Sequence, residues 1–255
     1  MSGETAVEFL PTPSGRTERL VEAAAFLSSR AGDRVALIGG LAVACRLGSV
    51  HRVTQDVDAV AEAGPGEPDV IEILVADAAV ERTDRAHRVM VGDVKVEIIE
   101  TVDLPDDLDD ISHDQRLFVL AHRWGLTTAT TMTVRVAGES LEASLPVASG
   151  ASLVAMKLHA AIDRADDAKR ASDLYDIYRL LERDERLLQA RSFASAPHDL
   201  AGLVAAGVSR LFDDAAERSA RWLLVHGGAD AQHIKAEELR RVCAPFLAAL
   251  DAFPS

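Results

Sequence analysis

Residues 35–60 read VALIGGLAVACRLGSVHRVTQDVDAV, and the fold of the chain turns on that stretch. Val35 to Ile38 is a short apolar strand, Gly39-Gly40 a turn, and Leu41 to Leu47 a helix. Arg52-x-Thr54 then leads into a second strand that carries Asp56 and Asp58. Alternate residues of a strand project from one face, so these two carboxylates point the same way. Paired carboxylates make half of a hard-cation site of the kind that holds Mg²⁺ on a polyphosphate. Glycines at a strand-to-helix junction expose backbone N–H groups that can face phosphate oxygens. Each element alone is commonplace, but the five together in one short window are rare.

Upstream of this window, residues 1–16 hold two prolines and no periodicity and are expected to be a loose lead-in. Leu20, Ala23, Ala24 and Leu27 recur at helical spacing over Thr17 to Ser29, and Gly32 ends that helix. Downstream, Gly64, Pro65, Gly66 and Pro68 break the strand, and VIEILVADAAV fits a short helix. HRVMVGDVKVEIIE alternates around Gly92-Asp93, which predicts a hairpin whose second strand puts Lys95 and Glu97 on one face and Glu100 on the other. Asp103, Asp106, Asp107, Asp109, Asp110 and Asp114 crowd a solvated loop, with Asp114 as the expected cap of a helix bearing Phe118, His122 and Trp124. In that helix His122 and Trp124 are expected to pack. TMTVRVAG and SLEASLPV form a further strand pair turning at Gly138-Glu139, and from Ser149 onward the pattern is helical. The fold class is therefore α+β, with a sheet-and-helix core over 17–148 and a helical part over 149–252.

Composition bounds the function. At 255 residues, 48% hydrophobic and 27% charged, the chain can bury a sizeable core. No run of eighteen apolar residues is present, so no membrane span is expected, and the start lacks the pattern of a secretory signal. Cys45 and Cys243 lie far apart without metal-ligand spacing, as expected of buried thiols in a reducing cytoplasm. A net charge of −14 opposes polyanion binding at long range, so an RNA substrate would need a local basic face.

Taken together, the glycine turn and the Arg52–Asp58 element resemble the signature of the DNA polymerase β-like nucleotidyltransferase superfamily. The spelling GG-L-A and R-V-T-Q-D-V-D is similar to its AbiEii-type branch, the toxins of bacterial abortive-infection and toxin–antitoxin pairs. One residue departs from the superfamily, which often has Gly-Ser in the turn. Gly40 stands at the serine position, so a phosphate-binding hydroxyl would come from elsewhere, with Thr54 the candidate. The superfamily takes a third carboxylate from a neighbouring strand in an apolar setting like VKVEII. The resemblance thus implies Glu97 as third ligand, with Glu100 the fallback, beside the plain reading of Glu97 as an edge residue in an ion pair. Further on, Lys157-x6-Arg164 followed by Asp173-Leu174-Tyr175-Asp176 again resembles the family, in which a lysine and a downstream aspartate complete the site. Ser172 stands where the family usually has a basic residue, which leaves Asp173 and Asp176 both open. The plain alternative is a solvated helix pair with Lys157 bonded to Asp163.

The resemblance implies a Mg²⁺- or Mn²⁺-dependent transfer of a nucleotide from an NTP. In it Asp56, Asp58 and Glu97 hold the metal, and Asp56, Asp58, Lys157 and Asp173 carry the chemistry. Gly39, Gly40, Arg52, Thr54 and Lys157 meet the polyphosphate. It further implies an RNA acceptor, such as a tRNA 3′ end, and a cognate antitoxin, in the cytoplasm. Two other readings are open: an aminoglycoside-type adenylyltransferase, which the acidic charge suits, and a catalytically silent binding module.

Overall fold

The computed structural model describes residues 5–64, 66–101, 107–108, 111–183 and 186–251. They fall into two compact units, Met1–Asp106 with Gly125–Ser149, and Asp107–Trp124 with Gly150–Ser255. The division is not a single cut, because residues 107–124 group with the later helices. Asp103, Asp106, Asp109 and Asp110 of the acidic stretch lie outside the described residues.

The first unit holds an eight-stranded mixed sheet ordered β1-β7-β8-β2-β3-β6-β5-β4. Its strands are β1 (Thr5–Phe9), β2 (Val35–Ile38), β3 (Asp56–Ala61), β4 (Val80–Arg82), β5 (Arg88–Val91), β6 (Val94–Glu100), β7 (Thr130–Val136) and β8 (Glu142–Val147). The mixture of parallel pairs (β1–β7, β2–β8, β3–β6) and antiparallel ones, with helices, gives the α+β class. Central β2 is buried along its whole length, which is why it reads as an unbroken apolar run. Helices α1 (Arg16–Ala31), α2 (Gly39–Leu47) and α3 (Val70–Val75) belong to this unit. In α1 the stripe Leu20, Val21, Ala24, Leu27 is buried, and Gly32 caps its end at φ 64°. The β5–β6 hairpin turns at Gly92-Asp93 and the β7–β8 hairpin at Gly138-Glu139, as the alternation predicts.

Three local expectations are corrected. The lead-in contains an edge strand: Val7 and Phe9 point inward, and β1 pairs with β7 from Thr5↔Met132 to Phe9↔Val136. Five alternating residues next to prolines carry too little pattern to show this without their partner strand. The VIEILVADAAV helix ends at Val75, and Val80 already begins β4. Ser112, not Asp114, caps the next helix: its hydroxyl accepts from Gln115 N at 3.2 Å while Gln115 Oε1 accepts from Ser112 N at 3.1 Å. That reciprocal pair is a capping box, in which serine with glutamine three residues on satisfies two backbone groups that no aspartate inside the turn can reach together.

The second unit is helical: α4 (His113–Thr127) for most of its length, α5 (Gly150–Asp163), α6 (Asp167–Glu182), α7 (Arg186–Ser192), α8 (Leu200–Ser209), α9 (Ala216–His226) and α10 (Ala236–Leu250). The expected packing roles hold in α4. His122 is buried and its Nδ1 lies 2.7 Å from the Phe118 carbonyl, which makes that nitrogen the donor, while Trp124 packs on Phe193 at 4.9 Å. Cys45 and Cys243 are free and buried, and burial pushes their thiols up to about 12 and about 11.

Candidate active site

The strand-to-helix junction explains the glycine pair. Ile38 is the last extended residue, and Gly39 turns the chain at φ +70°, a conformation that side chains disfavour. Space forbids a side chain there as well, since a Cβ would run into the Asp58 carboxylate and stand 2.8 Å from both its Cβ and Cγ. Gly40 is closed for another reason: a Cβ would fall 2.6 Å from Thr54 Oγ1 and 2.9 Å from Arg52 Nη2. The hydroxyl of Thr54 therefore occupies the room a side chain at position 40 would take. Both glycines lie inside the first turn of α2, one residue pair earlier than the sequence pattern suggests. The N-cap residue, Ile38, has no side chain that could cap that turn, and the positive end of the helix dipole lies there.

The carboxylates are brought together by strand register. In the parallel β3–β6 pair Asp56 stands opposite Lys95 and Asp58 opposite Glu97. One oxygen from each of Asp56, Asp58 and Glu97 lies within 4.8 Å of the others, and all three residues are half-buried. Glu100 points to the opposite face, where its Oε1 accepts from Val70 N at 2.9 Å at the start of α3. The structure thus gathers Glu97, not Glu100, with the two aspartates. Three hard carboxylate donors within one ion's reach fit a Mg²⁺ or Mn²⁺ ion.

Two cations at this cluster are not evident from the sequence alone. Lys95 Nζ lies 2.7 Å from Asp56 Oδ2 and 3.6 Å from Glu97 Oε1. Arg88, opposite Glu97 in the antiparallel β5–β6 pair, donates to Glu97 Oε1 from Nε at 2.7 Å and also from Nη2. Partial burial disfavours the Lys95 ammonium, but its hydrogen bond to Asp56 and the charges of Asp56 and Glu97 outweigh that and raise it above the usual lysine range. The one signal in the sequence is that Lys95 shares the Glu97 face; pairing with Asp56 requires the register of strands nearly forty residues apart. Beside the glycine turn lies a cavity of about 140 Å³, walled by Leu41, Ala44 and Val53 with Arg16, Arg52 and Thr54 among its polar groups. That is the bulk volume of about four or five waters.

Within the helical unit a second charged cluster forms. Lys157 Nζ on α5 lies 2.8 Å from Asp173 Oδ1 and 2.8 Å from Asp176 Oδ2, both on α6. Arg164, just past the end of α5, bonds the other oxygen of Asp173, and Arg170 donates to the Arg164 carbonyl. Lys157, Asp173 and Asp176 are buried, so the solvated pairing of Lys157 with Asp163 is replaced by a buried one with both aspartates. The two aspartates lie well inside α6, which starts at Asp167. Asp166 caps that helix by accepting from Ala168 N at 2.9 Å and Lys169 N at 3.1 Å, and these bonds lower its carboxyl below the usual range.

No curated protein sequence matches the chain. Among solved structures, an antigenic nucleotidyltransferase-like protein from Paracoccidioides brasiliensis is similar with a TM-score of 0.45 and 17% identity, over 74% of this chain and 93% of that one. The profile of the family described as "Nucleotidyl transferase AbiEii toxin, Type IV TA system" matches residues 23–202, a span that takes in the glycine turn, the carboxylates of β3 and β6, and the α5–α6 cluster. With well over half its length matched, the chain belongs to the AbiEii nucleotidyl transferase toxin family.

Proposed function

We propose that the protein transfers a nucleotide from an NTP to an acceptor hydroxyl and acts as the toxin of a toxin–antitoxin pair in the cytoplasm. The convergence of Asp56, Asp58 and Glu97 beside the glycine turn carries this reading. In the reaction an acceptor oxygen attacks the α-phosphorus, the bond from that phosphorus to the β-bridging oxygen breaks, and pyrophosphate departs with the electron pair. The hydroxyl proton passes to water. Asp56, Asp58 and Glu97 would hold Mg²⁺, which supplies charge stabilisation at the phosphates. The first-turn N–H groups of Gly39 and Gly40 cradle the polyphosphate, and the Thr54 hydroxyl beside Gly40 offers the donor that the missing serine would give. Arg52 adds positive charge at the same turn. Lys157 is proposed to neutralise phosphate charge, with Asp173 orienting it.

An RNA end, as in a tRNA, is the proposed acceptor, and a cognate antitoxin the proposed protein partner. The net charge of −14 is unevenly distributed along the chain. Residues 149–255 carry 14 basic against 16 acidic side chains, so the acidic excess lies in the first 148 residues. A small cationic acceptor is the second reading, favoured by that same acidic excess around the carboxylates. Incubating the protein with each labelled NTP, Mg²⁺, and either total RNA or an aminoglycoside tests both. Label in RNA is expected; label only in the drug selects the second reading, and label in neither overturns both.

A further inference from the structure

We propose that Lys95, supported by Arg88, is a resident counter-ion of the carboxylate cluster that must release Asp56 for a divalent cation to bind, so that cation and nucleotide enter as a pair. This rests on the reading of Asp56, Asp58 and Glu97 as the cation site.

Backbone register, rather than a chance rotamer, imposes the contact. Lys95 is the β6 residue opposite Asp56, and Arg88 the β5 residue opposite Glu97, so both cations are directly across from a proposed ligand. Two of the three carboxylates, Asp56 and Glu97, already face these cations, so a divalent ion has to compete with them. The Lys95 ammonium, 2.7 Å from Asp56 Oδ2, would sit against any cation sharing that carboxylate, and like charges so close repel strongly in a half-buried site. Arg88 is the less mobile of the two, because two of its nitrogens are tied to Glu97 Oε1. Lys95 instead carries a compact charge on a flexible stem and remains 30% exposed, so it can swing without disturbing the strands.

A nucleotide polyphosphate gives the lysine somewhere to go. It brings about four negative charges, of which one divalent cation offsets only two. On binding, Asp56 exchanges Lys95 for the cation while the freed ammonium pairs with phosphate. The free protein then holds the cation loosely, and the nucleotide tightens it. Lys95 becomes a nucleotide-binding residue that metal ligation alone does not reveal.

Titrating the full-length protein with Mn²⁺, read by electron paramagnetic resonance of the free ion, tests this with and without a non-hydrolysable NTP analogue. Wild type is expected to bind Mn²⁺ at least about tenfold more tightly with the analogue present. Lys95→Gln should bind Mn²⁺ alone about tenfold more tightly than wild type and lose most of the analogue's effect, while Lys95→Arg should resemble wild type. Mn²⁺ affinity and coupling unchanged in Lys95→Gln would overturn the proposal if Asp58→Asn still abolishes binding. If Asp58→Asn also leaves Mn²⁺ binding intact, the cation site itself is misassigned and both readings fall.

Discussion

The protein builds two clusters from the same materials, carboxylates and cations, and gives them opposite surroundings. In the sheet unit, Asp56, Glu97 and Lys95 are 28%, 26% and 30% exposed, whereas in the helical unit Lys157, Asp173 and Asp176 are 9%, 3% and 0% exposed. Partners in water exchange at little cost, so the first cluster can open to receive a ligand. Buried charges can lose a partner only by leaving another unpaired, so opening the second cluster costs far more and needs a replacement charge such as a phosphate. Burial, more than charge, separates the two: ion pairs that can exchange partners in the sheet unit, and a buried set that supports the fold in the helical unit.

The comparison breaks most readily at Lys157. Lys157→Ala leaves Asp173 and Asp176 buried without the ammonium they share, and should cost about 3–5 kcal/mol of stability by urea denaturation. A loss below about 1 kcal/mol would show the lysine to be a surface charge after all. The sheet cluster should respond in the reverse sense. Asp58→Asn is expected to lower transfer at least ~100-fold, on the order of 3 kcal/mol of transition-state stabilisation, while leaving the unfolding midpoint nearly unchanged. Turnover close to wild type would remove Asp58 from the chemistry.

Acid provides a third contrast, because the helical unit also buries His122. Burial lowers that imidazole from 6.5 to about 4, so the folded state keeps it neutral where the unfolded chain would protonate it. Its contribution is fully present above pH 6.5 and is lost as pH falls from 6.5 towards 4, a change on the order of 3 kcal/mol. His122→Phe should flatten that part of the stability–pH curve; an unchanged slope would assign it elsewhere. The smallest effect is expected at Glu100, which shares β6 with Glu97 but serves the other face. Glu100→Gln keeps an acceptor for Val70 N and should cost at most about 1 kcal/mol, with Mn²⁺ binding and transfer unaffected. Loss of Mn²⁺ binding would make Glu100, not Glu97, the third ligand.

What the sequence made legible follows the range of its signals. The strand, glycine pair, helix and Asp-x-Asp lie within 26 residues, and the period-two pattern of β6 sorts Glu97 from Glu100 without a partner strand. Lys95 opposite Asp56 was not legible, because pairing across strands depends on register that neither strand encodes alone. Strand β1 was hidden likewise: Val7 and Phe9 acquire meaning only against β7. Lys157 and Asp173 could be named by pattern, but their burial arises from how α5 packs on α6, which no pattern within either helix shows.

The volume beside Gly40 has an evolutionary consequence. With Thr54 Oγ1 2.6 Å from where a Cβ at position 40 would sit, a serine there and a threonine at 54 exclude one another. A change at one of the two positions then favours a compensating change at the other, because either single step crowds the pocket or leaves it without a hydroxyl. Residue identity at these two positions should therefore covary across relatives, and a search that demands serine after the first glycine will overlook chains whose hydroxyl has migrated fourteen positions along the backbone.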